Sequence, residues 1–143
     1  MTRGRKPTPT KLKLLSGNPG HRRLNDREPV APADVPDCPE YLDDVARGEW
    51  QRTVAVLREM GLASRADRSA LAAYCTAYSR WVEAEQQVKR FGTIVKAPNS
   101  GFPMKSPYLS IAKAACEQMR KLLVEFGLTP SSRTMRSPSP QIA

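Results

Sequence analysis

The position of the prolines limits what this sequence can fold into more than any other feature. Seven of the 13 prolines lie between Pro7 and Pro39, and none occurs from residue 40 to residue 97. Proline has no backbone N–H and clashes with the preceding helical turn, so the first stretch excludes a long helix and an interior strand. The sequence therefore predicts an extended N-terminal arm, residues 1–37, followed by a folded core.

The core is predicted to be helical, because its apolar residues recur at three- and four-residue steps. Three stretches have this spacing, and each is followed by a glycine at which a helix would end: residues 50–57, 71–91 and 108–126. The first helix is expected to start near Pro39, and Gly48 is a candidate break within it. We predict a mainly all-α fold with three to four helices over residues 38–128 and a flexible tail over residues 129–143.

Two shorter elements complete the predicted fold. Ile94 and Val95 precede the turn sequence Pro98-Asn99-Ser100-Gly101, which favours a short β-hairpin near residues 93–104. Within the arm, one helical turn is expected from Lys11 to Leu15, with Gly17 in a C-cap position. The length of 143 residues fits a single domain.

Charge is concentrated in the arm. The chain has a formal net charge of +9, yet residues 29–128 hold 13 basic and 12 acidic side chains, whereas residues 1–28 hold eight basic and two acidic ones. An excess of this kind indicates a polyanionic partner, nucleic acid first and an anionic membrane surface second. The longest apolar stretch, Ala70 to Cys75, is far too short to cross a bilayer.

The residues that most enzymes and metal sites require are sparse. Cys38, Cys75 and Cys116 are widely spaced and form no CxxC pair, so we interpret them as reduced thiols of a cytosolic protein. His21 is the single histidine, and no phosphate-binding glycine motif occurs. We predict that the chain is not an enzyme and has no catalytic residue, metal site or cofactor. A nuclease or an enzyme accessory protein is the alternative.

The arm carries the first predicted DNA contacts. Arg3-Gly4-Arg5, followed by Lys6-Pro7, is similar to the core of an AT-hook, in which arginines on an extended backbone enter a narrow minor groove. A solvated tail without a ligand is the other interpretation of such a segment. The predicted arm contacts are Arg3, Arg5, Lys6, Lys11, Lys13, Arg22 and Arg23.

The turn between the first two core helices gives a second candidate DNA element. Residues 61–64 have the length of a helix-turn-helix connection, and Arg65 and Arg68 fall in the first turn of the next helix, where base-reading side chains lie. Any helical hairpin with a glycine turn has the same pattern. This element supports the alternative function, a small helix-turn-helix transcriptional regulator with a basic DNA-binding arm.

The last predicted helix carries a stripe of small and apolar residues, Ala112, Ala115 and Met119. Small residues let a second helix approach closely, so we interpret the stripe as a candidate oligomer interface. Packing of the stripe within one chain is the other interpretation.

As a whole, the sequence resembles a family of phage terminase small subunits. Two segments of the arm carry the resemblance, Arg3-Gly4-Arg5-Lys6-Pro7-Thr8 and Gly17-Asn18-Pro19-Gly20. Single positions such as Trp50 and Tyr74 and the C-terminal segment from Phe126 to Arg133 also match. It implies a non-enzymatic, ring-forming homo-oligomer in the host bacterial cytoplasm that recognises the packaging start site on double-stranded phage DNA.

The same resemblance implies further partners. Small subunits of this kind recruit and stimulate the terminase large subunit, which holds the ATPase and nuclease, and often accompany an HNH endonuclease. By the same resemblance, Thr129, Pro130 and Arg133 of the tail are the expected contacts with the large subunit.

Overall fold

The structure is a computed structural model that describes residues 8–28 and 34–130. In chain order, its elements are α1 (Thr10–Leu15), α2 (Asp44–Glu59), a 3₁₀ turn (Arg65–Asp67), α3 (Arg68–Phe91), β1 (Ile94–Lys96), β2 (Pro103–Lys105) and α4 (Pro107–Glu125). β1 and β2 form a two-stranded antiparallel sheet. The mainly helical fold with a short hairpin is therefore confirmed.

Helix α2 begins later than the sequence predicted. Asp43 is its N-cap, and its carboxylate accepts a 2.8 Å hydrogen bond from the Ala46 backbone N–H. Pro39 lies before the helix, because a capping carboxylate satisfies a free N–H of the first turn and a proline cannot. Gly48 does not interrupt α2, which continues to Glu59. Gly61 follows the end of this helix and has a φ of +67°. Glycine adopts this left-handed conformation without strain, so it turns the chain away from the helix.

Helices α2 and α3 form the main core. Trp50 and Leu57 from α2 are buried together with Leu71, Tyr74 and Cys75 from α3. Burial raises the pKa of the Cys75 thiol to about 12, so this cysteine is a neutral core side chain.

The hairpin connects α3 to α4. Helix α3 ends at Gly92 (φ +87°), and the strands pair Ile94 with Lys105 and Lys96 with Pro103. At the base of the hairpin, the Ser106 N–H donates to the Thr93 carbonyl at 2.9 Å. The rings of Phe91 and Tyr108 stack there with centroids 6.2 Å apart, which holds the start of α4 beside the end of α3.

The chain divides into two compact units. One is Ala31–Leu123, and the other combines the described residues of Met1–Val30 and Val124–Ala143. Within this second unit the Thr10 N–H donates to Glu28 Oε2 at 2.7 Å. Gly127, at φ +71°, lies directly against the Leu12 side chain, and a Cβ there would collide with it. The division into arm, core and tail at residues 37 and 128 stays a prediction.

Candidate nucleic-acid interface

The described part of the arm presents most of its cations to solvent. Arg22 and Arg23 are exposed, and the Asn18 side-chain amide donates a 2.9 Å hydrogen bond to the Arg22 carbonyl, which fixes the backbone before them. Helix α1 carries Lys11, which is exposed, and Lys13, which is half-buried. Arg3, Arg5 and Lys6 lie outside the described residues.

Arg68 is the first residue of α3, as expected, whereas Arg65 lies in the 3₁₀ turn that precedes this helix. Each of the two arginines is paired with an acid. Arg65 Nη2 lies 2.8 Å from Asp34 Oδ2. Arg68 Nη2 lies 3.1 Å from Asp37 Oδ2, and Arg68 Nε donates to the Asp37 carbonyl at 3.1 Å. The segment before α2 thus places two carboxylates on the two arginines of the helix-turn-helix-like connection. A DNA phosphate would have to compete with both carboxylates.

The stripe on α4 packs mainly within the chain. Ala112 and Ala115 are buried and Met119 is half-buried. Ala112 lies with Trp81, Leu109 and Cys116 around an open groove of about 400 Å³ between α3 and α4. Ala112 and Ala115 are therefore covered by their own chain, as the second of the two interpretations expects. Whether the stripe also contacts another copy stays a prediction.

A buried polar cluster joins α2 to α3, and the sequence reasoning missed it. The Glu49 side chain is only 2% exposed. Its carboxylate accepts two hydrogen bonds from Arg52, at 2.6 and 2.9 Å, and one from the Tyr74 hydroxyl at 2.6 Å. Burial and this hydrogen bond raise the pKa of Tyr74, and the carboxylate raises the pKa of Arg52. The sequence contained a signal for the burial of Glu49. Glu49, Thr53 and Leu57 recur at four-residue steps, which places the carboxylate on the same helix face as the buried leucine.

A second overlooked feature is a run without acids around the hairpin. Between Glu85 and Glu117 the sequence contains five basic side chains and no acidic one: Lys89, Arg90, Lys96, Lys105 and Lys113. Among the ion pairs of residues 8–28 and 34–130, none involves Lys89, Lys96 or Lys105. Counting charge over the whole core concealed this local excess.

No cluster that could hold a metal ion occurs within the described ranges. None of the helices there is both long and apolar enough to cross a membrane. At the C-terminal end, Thr129 is half-buried and Pro130 is exposed, and Arg133 lies outside the described residues.

Comparison with known proteins decides the family. The sequence model of the family described as "Phage terminase, small subunit" matches residues 46–141, about two thirds of the chain. The chain belongs to the phage terminase small-subunit family. The match includes most of α2 and all of α3, the hairpin and α4, and it starts beyond the basic arm. No curated protein and no solved structure matches the chain. Family membership connects this terminase small subunit to phage DNA packaging.

Proposed function

We propose that this chain is the non-enzymatic DNA-recognition and regulatory subunit of a phage packaging motor. In the proposed mechanism it binds double-stranded phage DNA, recruits the large terminase subunit and stimulates its ATPase. The observation that carries the proposal is the family match over residues 46–141. The charge distribution supports it, since the exposed cations Arg22 and Arg23 suit a polyanionic ligand.

The proposal includes self-association. Several copies around one DNA would multiply the weak contacts of each arm and raise their effective concentration. We expect a homo-oligomeric ring in which Met119 of α4, half-buried within its own chain, contacts a neighbouring copy. Ala112 and Ala115, the other two members of the stripe, are buried within their own chain.

The remaining partners follow from the same role. The segment from Thr129 onward, including Pro130 and Arg133, is the proposed contact with the large subunit. An HNH endonuclease is a further proposed partner, and the host bacterial cytoplasm is the proposed location. The family match favours this role over that of a helix-turn-helix transcriptional regulator.

A salt titration tests the DNA-binding step. Fluorescence anisotropy with duplex DNA from the phage genome end would be measured at several salt concentrations for the parent chain and for Arg22→Gln/Arg23→Gln. The log–log slope flattens by roughly 0.9 for each phosphate that the protein no longer neutralises. We expect the double variant to bind more weakly with a slope flatter by about 1.8 for each copy engaged.

The control is Arg120→Gln/Lys121→Gln, which removes the same charge from exposed positions on α4. It should keep nearly the parent slope. Equal slopes for the parent and the arm variant would remove Arg22 and Arg23 from the interface. If the parent does not bind DNA at all, the proposed function itself is wrong.

A further inference from the structure

The hairpin between α3 and α4 presents an exposed face with two lysines. Because Ile94 pairs with Lys105 and Lys96 pairs with Pro103, these four side chains share one face of the two-stranded sheet. All four are exposed, and Ile94 is 61% exposed. Lys96 and Lys105 are diagonal neighbours on this face, a relationship that separates residues by about 7–8 Å.

The surroundings of this face add positive charge. Lys89 and Arg90 are exposed in the last turn of α3, immediately before the hairpin, and the Arg90 guanidinium lies 5.1 Å from the Phe91 ring centroid. No acidic residue occurs from residue 86 to residue 116. Among the ion pairs of the described residues, none involves Lys96 or Lys105, whereas Arg65 and Arg68 are each paired with an aspartate.

From this arrangement we infer that the β1–β2 hairpin is a second DNA-contact surface, which binds backbone phosphates through Lys96 and Lys105. A two-stranded ribbon, with strands about 4.8 Å apart, fits the major groove of about 12 Å. The inference deepens the proposed function and rests on it. It assigns part of the DNA affinity to the hairpin, which lies within the family-matched residues 46–141. The net charges of the arm and the core, by contrast, favour the arm as the main source of that affinity.

A protein partner is the competing occupant, because Ile94 and Phe102 are exposed apolar side chains, Phe102 to 73%. A symmetric contact between two copies would bring the same patch against itself and oppose its cations to one another, which costs free energy. Addition of a partner strand along β2 is also disfavoured, since Pro103 lacks a backbone N–H. A polyanion meets neither obstacle.

The test uses the full chain and two surface variants, Lys96→Gln/Lys105→Gln and Phe102→Ser. Anisotropy against duplex DNA at several salt concentrations gives the slope, and light scattering gives the solution mass. Arg120→Gln/Lys121→Gln is the matched control, because it removes the same charge far from the hairpin. Pro107 lies beside the hairpin, and Lys121 lies about 21 Å farther along α4. Circular dichroism checks that each variant keeps the parent's helix content.

We expect the lysine variant to bind DNA more weakly, with a slope flatter by about 1.8 for each copy engaged, and to keep the parent's mass. The control should keep both mass and slope. A parent-like slope for the lysine variant would overturn the inference while leaving the proposed function intact. A lower mass for the lysine variant or for Phe102→Ser would also overturn it, since the hairpin would then be a protein–protein interface. Absence of DNA binding by the parent would overturn the inference together with the proposed function.

Discussion

The Tyr74 hydroxyl on α3 donates a 2.6 Å hydrogen bond to the buried Glu49 carboxylate on α2. Arg52 binds the same carboxylate from the solvent side, with its own side chain 68% exposed. A buried carboxylate is costly unless it is paired and hydrogen-bonded, so the two helices fit best in the one arrangement that satisfies Glu49. The hydroxyl of Tyr74 therefore joins α3 to the buried carboxylate of α2.

Removal of the hydroxyl should destabilise the core. Tyr74→Phe keeps the ring in place but removes one of the hydrogen bonds to Glu49 Oε1, which keeps its bond from Arg52. A hydrogen bond to a charged group contributes about 1.5–3 kcal/mol. We expect the free energy of unfolding to fall by roughly that amount in urea denaturation. Tyr41→Phe is the control, because it removes the same hydroxyl from a side chain that is 75% exposed. Equal losses in both variants would contradict the role of the Tyr74 hydroxyl.

The Asp43 cap predicts a dependence of stability on pH. Its carboxylate accepts hydrogen bonds from the Ser79 hydroxyl and the Ala46 N–H, and these lower the pKa of Asp43 below its ordinary value. A lowered pKa in the folded state means that the stabilisation is complete above the unfolded value of about 3.8–3.9 and is lost as pH falls below it.

Asp43→Asn preserves the cap but removes the titrating group, because asparagine caps helices as well as aspartate does. Between pH 5 and pH 2.5, the variant should lose less stability than the parent, as measured by urea denaturation. Asp44→Asn is the control, since Asp44 is the exposed neighbour in the first turn of α2. The assignment to Asp43 is wrong if both variants follow the parent's pH profile.

The carboxylates on Arg65 and Arg68 give a prediction about DNA affinity. Asp34→Asn/Asp37→Asn removes both carboxylates from the guanidinium groups, while Arg68 keeps its hydrogen bond to the Asp37 carbonyl. Exposed ion pairs of this kind contribute only about 0–1 kcal/mol each, so the fold should be kept. If these arginines face DNA, the salt slope should steepen by up to about 1.8 for each copy engaged. The control is Asp44→Asn/Glu59→Gln, which raises the net charge by the same amount but leaves the carboxylates on Arg65 and Arg68 in place. A slope no steeper than this control's would exclude Arg65 and Arg68 as DNA contacts.

The half-buried Met119 gives a direct test of self-association. Met119→Glu introduces a charge where we propose that a neighbouring copy packs, and should lower the solution mass while helix content stays constant. Gln118→Glu adds the same charge at an exposed adjacent position and should leave the mass unchanged. Ala115→Glu is a poorer choice, because Ala115 is buried within its own chain and the variant would disturb the fold. A parent-like mass for Met119→Glu would place the interface elsewhere.

The local elements of this fold could be predicted because their signals are local. Gly92 and Gly127 ended α3 and α4 close to where the apolar periodicity stopped, and Pro107 started α4. The start of α2 was missed because both Pro39 and Asp43 are good helix-start residues, and only the capping hydrogen bond distinguishes them.

The contacts of the candidate site depend on residues far apart in sequence. Asp37 and Arg68 are 31 residues apart, and no periodic pattern relates them. Their pairing comes from the path of the chain over the start of α3, which single-sequence reasoning does not supply. The hairpin surface was within reach, because the absence of acids between Glu85 and Glu117 can be counted from the sequence.

The central proposal is tested most directly by the ATPase rate of the large terminase subunit of the same phage, measured on genome-end DNA with and without this chain. The chain alone should hydrolyse no ATP, and its addition should raise the rate of the large subunit. A chain truncated after Leu128 lacks the proposed contact segment, so it should bind DNA but give no stimulation. ATP hydrolysis by the chain itself, or an unchanged rate when the full chain is added, would contradict the proposed role.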